Sequence, residues 1–167
     1  YNLEVQLTGE NSNCTIDGLT LISGQQLSDT HTSIDHVNPN CTSRQQHKCI
    51  VDGTAHAVFN GKIKVRPQAQ QTNSSQSSRN LLLSNTAKVD TKPQLEIFAD
   101  DVKCAHGATV GQLDSEEIFY LESRGLSKTT ARNLLTYAFA ADVINRIPVA
   151  SLKQQLEQIV LNQTQGI

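Results

Sequence analysis

The chain contains no methionine, and only 4% of its 167 residues are aromatic. Layered globules bury large rings between packed faces, so 37% hydrophobic residues with so few aromatics is lean for a layered core. Basic clusters are missing too. The formal net charge is -2, and no run of Lys and Arg interleaves with aromatics, which leaves nothing to track a phosphate backbone. Nucleic acid is therefore not expected as a partner. No apolar run approaches the roughly 20 residues that a spanning helix needs, so no membrane partner is expected either. The cysteines Cys14, Cys41, Cys49 and Cys104 form no C-x-x-C pair. In a chain long enough to build its own core they read as reduced thiols. Absence of G-x-S-x-G, Walker, G-x-G-x-x-G and H-E-x-x-H motifs removes the usual hydrolase, ATPase and dinucleotide sites.

What is present, from Tyr1 to about Gly111, is a series of short alternating runs: Leu3, Val5, Leu7; Cys14, Ile16, then Leu19, Leu21; Ala55, Ala57, Phe59, then Ile63, Val65; and Leu95, Ile97, Ala99. Each ends in Gly, Asn, Asp or Pro, the punctuation of strands and turns. Small aliphatic residues with many Asn, Gln, Ser and Thr suit a narrow stacked β-solenoid, with a sandwich as the alternative because no strict repeat period is legible. The polar stretch from Gln68 to Asn80 reads either as a flexible linker or as a set of hydrogen-bonded ladders between coils. The chain opens on Tyr1 inside an alternating pattern, as a fragment of a longer protein would, with a strand edge left uncovered.

After Gly111 the period becomes helical. Asp114 or Ser115 caps a first helix whose opening turn carries Glu116 and Glu117, and Gly125 stops it. Ser127 caps a second helix with Ala131, Leu134, Leu135, Ala138 and Phe139 at helical spacing, drifting on through Val143, Ile144 and Ile147. A third, from about Val149, carries Leu152, Leu156, Ile159 and Val160 on one stripe. This predicts two regions, residues 1–111 and 112–167. Three such helices cannot hide their apolar stripes among themselves, so some of that surface must meet the β region or a partner.

Chemistry concentrates in D-D-V-K-C-A-H-G-A-T-V-G, from Asp100 to Gly111. Period-two alternation puts Cys104 and His106 on one face, and a thiol with an imidazole is a donor pair for iron, zinc or copper. Two donors are too few for a closed tetrahedral site, so a metal site here would be shared. Asp100 and Asp101, adjacent in an extended run, point to opposite faces, which spoils a general-acid pair or a calcium site. The histidines between His31 and Lys48 suggest a second metal site, but Asp35, His36 and Pro39 read better as a turn with a satisfied imidazole.

The run from Lys92 to Asp114, K-P-Q-L-E-I-F-A-D-D-V-K-C-A-H-G-A-T-V-G-Q-L-D, closely resembles the C-terminal core of the SufB/SufD family of Suf iron–sulfur cluster assembly proteins. So do A-V-F-N-G-K-I-K-V (Ala57 to Val65), R-N-L-L-L-S (Arg79 to Ser84) and Y-A-F-A-A-D-V-I-N-R-I-P (Tyr137 to Pro148). C-A-H-G-A-T, where SufB proteins usually carry E-H-E-A-T, favours the SufD branch. The resemblance implies a right-handed parallel β-helix, truncated at its N-terminus, followed by a C-terminal helical domain. It implies a non-enzymatic scaffold that pairs with SufB through the β-helix and recruits the ATPase SufC through the helices, with Leu134, Phe139, Ile144 and Ile147 as candidate contacts. His106 matches a family histidine proposed to face a SufB cysteine, and Cys104 its neighbouring cysteine, so that an iron–sulfur cluster is held transiently and none permanently. A cytoplasmic or plastid-stromal location and a homodimer in isolation, through the β-helix edges, are the corresponding expectations. The alternative is a β-helical carbohydrate-active enzyme or carbohydrate-binding module, disfavoured because acidic and aromatic residues do not cluster along the sequence.

Overall fold

The strands are β1 (Asn2–Leu7), β2 (Asn13–Ile22), β3 (Leu27–His36), β4 (Thr42–Val51), β5 (His56–Val65), β6 (Thr72–Leu82), β7 (Lys88–Ile97) and β8 (Val102–Gly111), and the alternating runs fall in β1, β2, β5 and β7. The computed structural model describes residues 1–165, with side chains to residue 162. All pairings are parallel, in two four-stranded sheets ordered β1-β3-β5-β7 and β2-β4-β6-β8. Successive strands thus alternate between two facing sheets, and two strands make one coil of a four-turn β-solenoid. The offset between coils drifts from 29 residues (Asn2 beside His31) to 32 (His56 beside Lys88), which is why no strict period shows in the sequence.

The corners explain the drift without loss of stacking. Asn11, Asn40 and Gln71 all take positive φ, near 60°, and lie one above another through Asn11 N–H to Pro39 O (3.3 Å) and Asn40 N–H to Gln70 O (2.9 Å). At another corner Gly53 sits on Gly24, both at φ 63°. A Cβ on Gly53 would come within 3.0 Å of the Gly24 backbone, so glycine is required there for space as well as conformation.

Inside the solenoid the aliphatic residues gather in small patches, such as Ile63, Val65, Ala69 and Ala99 and Leu7, Ile34 and Cys41. Between them the core is polar. Thr72, Ser74, Gln76, Ser78 and Asn80 of β6 are all buried, so residues 72–80 belong to a strand and the linker reading is overturned in favour of the ladder. Ser43 and Ser74 hydroxyls meet at 2.7 Å, and Gln76 Nε2 donates to Gln45 Oε1 at 2.8 Å. Two further corrections concern chain geometry. His36 closes β3 and is buried, its Nε2 2.9 Å from Ser43 Oγ, rather than sitting in a turn. Asp100 and Asp101 lie in the corner before β8, outside any strand.

Three helices follow: α1 (Ser115–Ser123), α2 (Lys128–Ile144) and α3 (Ala150–Gln165). Their caps are the expected ones, Asp114 accepting from Glu116 N–H and Ser127 from Thr130 N–H, with Gly125 at φ 93° after α1. The helices pack on the outer face of the β2-β4-β6-β8 sheet, where Ile50 and Leu81 meet Ala140, Ile144 and Val160. Each of the larger side chains, Ile50, Leu81, Ile144 and Val160, contributes about 1.5–3 kcal/mol when taken from water.

Candidate functional site

Strand β8 is the last of its sheet and exposes an edge. Register sets Cys104 beside Ser74 and His106 beside Gln76, both inward-facing on β6. Cys104 and His106 therefore occupy the inner face of the terminal coil, where no further coil covers them. Cys104 is half-buried and packs with Ile63, Val65, Ala69 and Ala99. Burial pushes its thiol above the ordinary range, opposed by a backbone hydrogen bond at Ser74, so at neutral pH it holds its proton until a metal or a base draws it off. His106 is exposed.

The donor set is incomplete: among the described residues no three of His, Cys, Asp and Glu come together as a metal site. The other histidines are engaged elsewhere. His47 stacks on Phe59, ring centroids 4.3 Å apart and nearly parallel at 8°, and its Nε2 lies 3.2 Å from Thr20 Oγ1. Burial lowers its pKa to about 4. His36 is likewise held below its usual value by burial, opposed by the charge of Asp35. A thiol and an imidazole still suit iron, but two donors leave its coordination unfilled.

Beneath this pair runs a hydrogen-bonded column that the residue types alone did not assign to a site. Gln76 donates to Gln45, and Gln45 Nε2 donates to Thr32 Oγ1 at 2.8 Å. A signal was present: S-x-Q occurs at Ser43–Gln45 and again at Ser74–Gln76, one coil apart.

The helical candidates separate into two groups. Ile144 is buried, 1% exposed, under Ile50 and Leu81, so it belongs to this chain's own core and is withdrawn as a partner contact. Phe139 packs on the same cluster, with Lys48 Nζ 4.5 Å above its ring. Ile147, half-buried, lines a cleft with Leu19 and Leu156. Leu134 differs: 46% exposed, it lines an open groove of about 550 Å³ between α1 and α2 with Tyr120, Leu121 and Leu135, rimmed by Glu116 and Glu117. No helix among the described residues is long and apolar enough to cross a membrane.

A family model described as "SUF system FeS cluster assembly, SufBD core domain" matches residues 1–139. The chain is 48% identical over 160 residues to an iron–sulfur cluster assembly SufBD family protein of Synechocystis sp., covering 96% of this chain and 35% of that protein. It is 47% identical over 156 residues to iron–sulfur cluster assembly protein SufD of Escherichia coli, covering 93% and 37% respectively. A chloroplastic protein of Arabidopsis thaliana is 39% identical over 156 residues, 93% of this chain and 33% of that one. The chain thus spans little more than a third of the length of the first two relatives.

Proposed function

The chain belongs to the SufBD core family of the SUF iron–sulfur cluster assembly system, and from that premise we propose that it supplies half of a cluster-assembly site and turns over no substrate itself. The observation that carries this reading is the incomplete pair, Cys104 and His106, on the uncovered inner face of the terminal coil. Iron and sulfide are the cargo. His106 supplies an imidazole ligand from this chain, and Cys104 assists as a thiol that ionises when iron or a base is at hand. SufB, seated on the β7–β8 end, supplies the missing donors. In isolation the same exposed edge pairs with a second copy. The α1–α2 groove around Leu134 receives the ATPase SufC. The relatives, bacterial and chloroplastic, support a cytoplasmic or plastid-stromal setting, and membership of this family leaves the carbohydrate alternative without support.

The test is reconstitution of the full-length protein with SufB and SufC, iron(II) and sulfide, followed by charge-transfer absorption. His106→Ala should lower cluster yield while the complex still forms, because the side chain is exposed and leaves no large cavity. Cys104→Ser should reduce yield less, and more at high pH than at low, because only the ionised thiol that serine lacks assists iron. Yield unchanged in His106→Ala removes the imidazole from the ligand set.

A further inference from the structure

The polar column inside the solenoid ends on an unanswered acceptor. Gln76 is 3% exposed, and its Oε1 is buried without a hydrogen-bond partner. A buried carbonyl left so costs about 1–3 kcal/mol, and such groups in native proteins call for an explanation. The amide nitrogen is already committed to Gln45 on the coil before. The two polar atoms of an amide diverge, so in a glutamine ladder the oxygen serves the coil after. In register on that coil stands His106, on a strand about 4.8 Å away. Space for this amide has been made on the opposite sheet. Gly61 faces it, and a Cβ there would lie 2.8 Å from Gln76 Cδ.

Resting on the reading of His106 as a cluster ligand, we propose that Gln76 is its positioning residue: Oε1 of Gln76 accepts one ring N–H of His106 and leaves the other ring nitrogen, unprotonated, for iron. A metal-binding histidine almost always donates its second N–H to an oxygen acceptor, which fixes tautomer and ring orientation. Here that acceptor belongs to a column anchored through Gln45 to Thr32, so the ring is aligned by the rigid interior of the solenoid.

The experiment needs no cluster. In the full-length protein with ring-15N-labelled histidine, long-range proton–nitrogen spectra at pH 8 report the tautomer of His106, assigned with His106→Gln. The native ring should populate one tautomer. Gln76→Met, similar in length but without the acceptor, should shift the tautomer ratio about fivefold toward that of a free imidazole, whereas Gln76→Glu, which keeps an oxygen, should hold it. A native ring already averaged between tautomers overturns the proposal even if neither variant folds, and so does a ratio that Gln76→Met leaves unchanged. Cluster yield in His106→Ala is read separately. A Gln76-dependent tautomer with unaffected yield keeps the hydrogen bond and sinks the ligand reading; an averaged ring with lost yield does the reverse.

Discussion

Lys48 Nζ lies 2.9 Å from Asp142 Oδ2, joining the outer face of β4 to the last turns of α2. The lysine is 3% exposed. Its ammonium also donates to the Phe139 carbonyl at 2.9 Å and lies over the Phe139 ring, while Gln46 Nε2 holds the same Asp142 oxygen at 2.9 Å. Arg146 adds a bond to Asp17 at 3.1 Å. The helices are thus fixed to the solenoid by a buried cation as well as by the apolar patch around Ile50 and Ile144.

Asp142→Asn should destabilise the protein by about 2 kcal/mol, the scale of a hydrogen bond to a charged group, since it strands the Lys48 charge. Lys48→Met should cost less, because it removes the charge and fills the same space over Phe139. Chemical denaturation of both variants checks the order. A reversed order would mean that the lysine contributes by charge rather than needing compensation for it.

Stability should fall on acidification in two stages. His47 is buried neutral with a pKa of about 4, against about 6.5 in an unfolded chain. The unfolded state takes the proton first, so this contribution is complete above pH 6.5 and declines as pH falls through 4. Asp142 is held to about 2 by hydrogen bonds from Lys48 and Gln46, against about 3.9 unfolded. Its contribution is present above pH 4 and is lost toward pH 2. Melting temperature against pH should show both stages, and His47→Gln should flatten the first alone, leaving a residual slope from His36.

Gly61→Ala should cost about 1–3 kcal/mol, the range for overpacking a filled core. The added methyl would stand 2.8 Å from Gln76 Cδ and 3.0 Å from Phe59 Cζ. Gly107→Ala is the control: nothing lies within 4 Å of its Cβ position, and the change should stay within about 0.5 kcal/mol. Equal melting curves for the two variants would show that the interior yields freely around the Gln76 amide.

What the sequence made legible follows from the physics of each element. Alternation in β5 marks its inward residues because Ala57, Phe59, Ile63 and Val65 are apolar, whereas β3 turns Thr30, Thr32 and His36 inward beside Ile34 and shows no such run. Helix ends were equally readable, since Asp114, Ser127 and Gly125 act locally. Strand β6 resisted because its inward residues are polar, and only stacking on Ser43 and Gln45 satisfies them. The pairing of Cys104 with His106 on one face needs only strand periodicity. The Gln76 column beneath it needs the register between coils, which variable corners conceal. Ile144 and Leu134 share one helical stripe in sequence, yet one is buried and the other exposed, because helix periodicity does not say where the sheet's apolar patch ends.

That division yields the last prediction. Leu134 is 46% exposed above the α1–α2 groove, whereas Ile144 is 1% exposed against Ile50. Leu134→Gln should change stability by no more than about 0.5 kcal/mol, as exposed substitutions do. If SufC docks in this groove, the same variant of the full-length protein should bind SufC about tenfold more weakly, since a few apolar anchors carry most of an interface's affinity. Ile144→Gln should instead lower stability by several kcal/mol, as expected for burying an amide without a partner while losing apolar contact. Titration calorimetry against SufC, with melting curves alongside, separates the two effects. Affinity unchanged in a folded Leu134→Gln protein would move the ATPase contact off this groove, and the exposed ring of Phe119 on α1 would be the next surface to test.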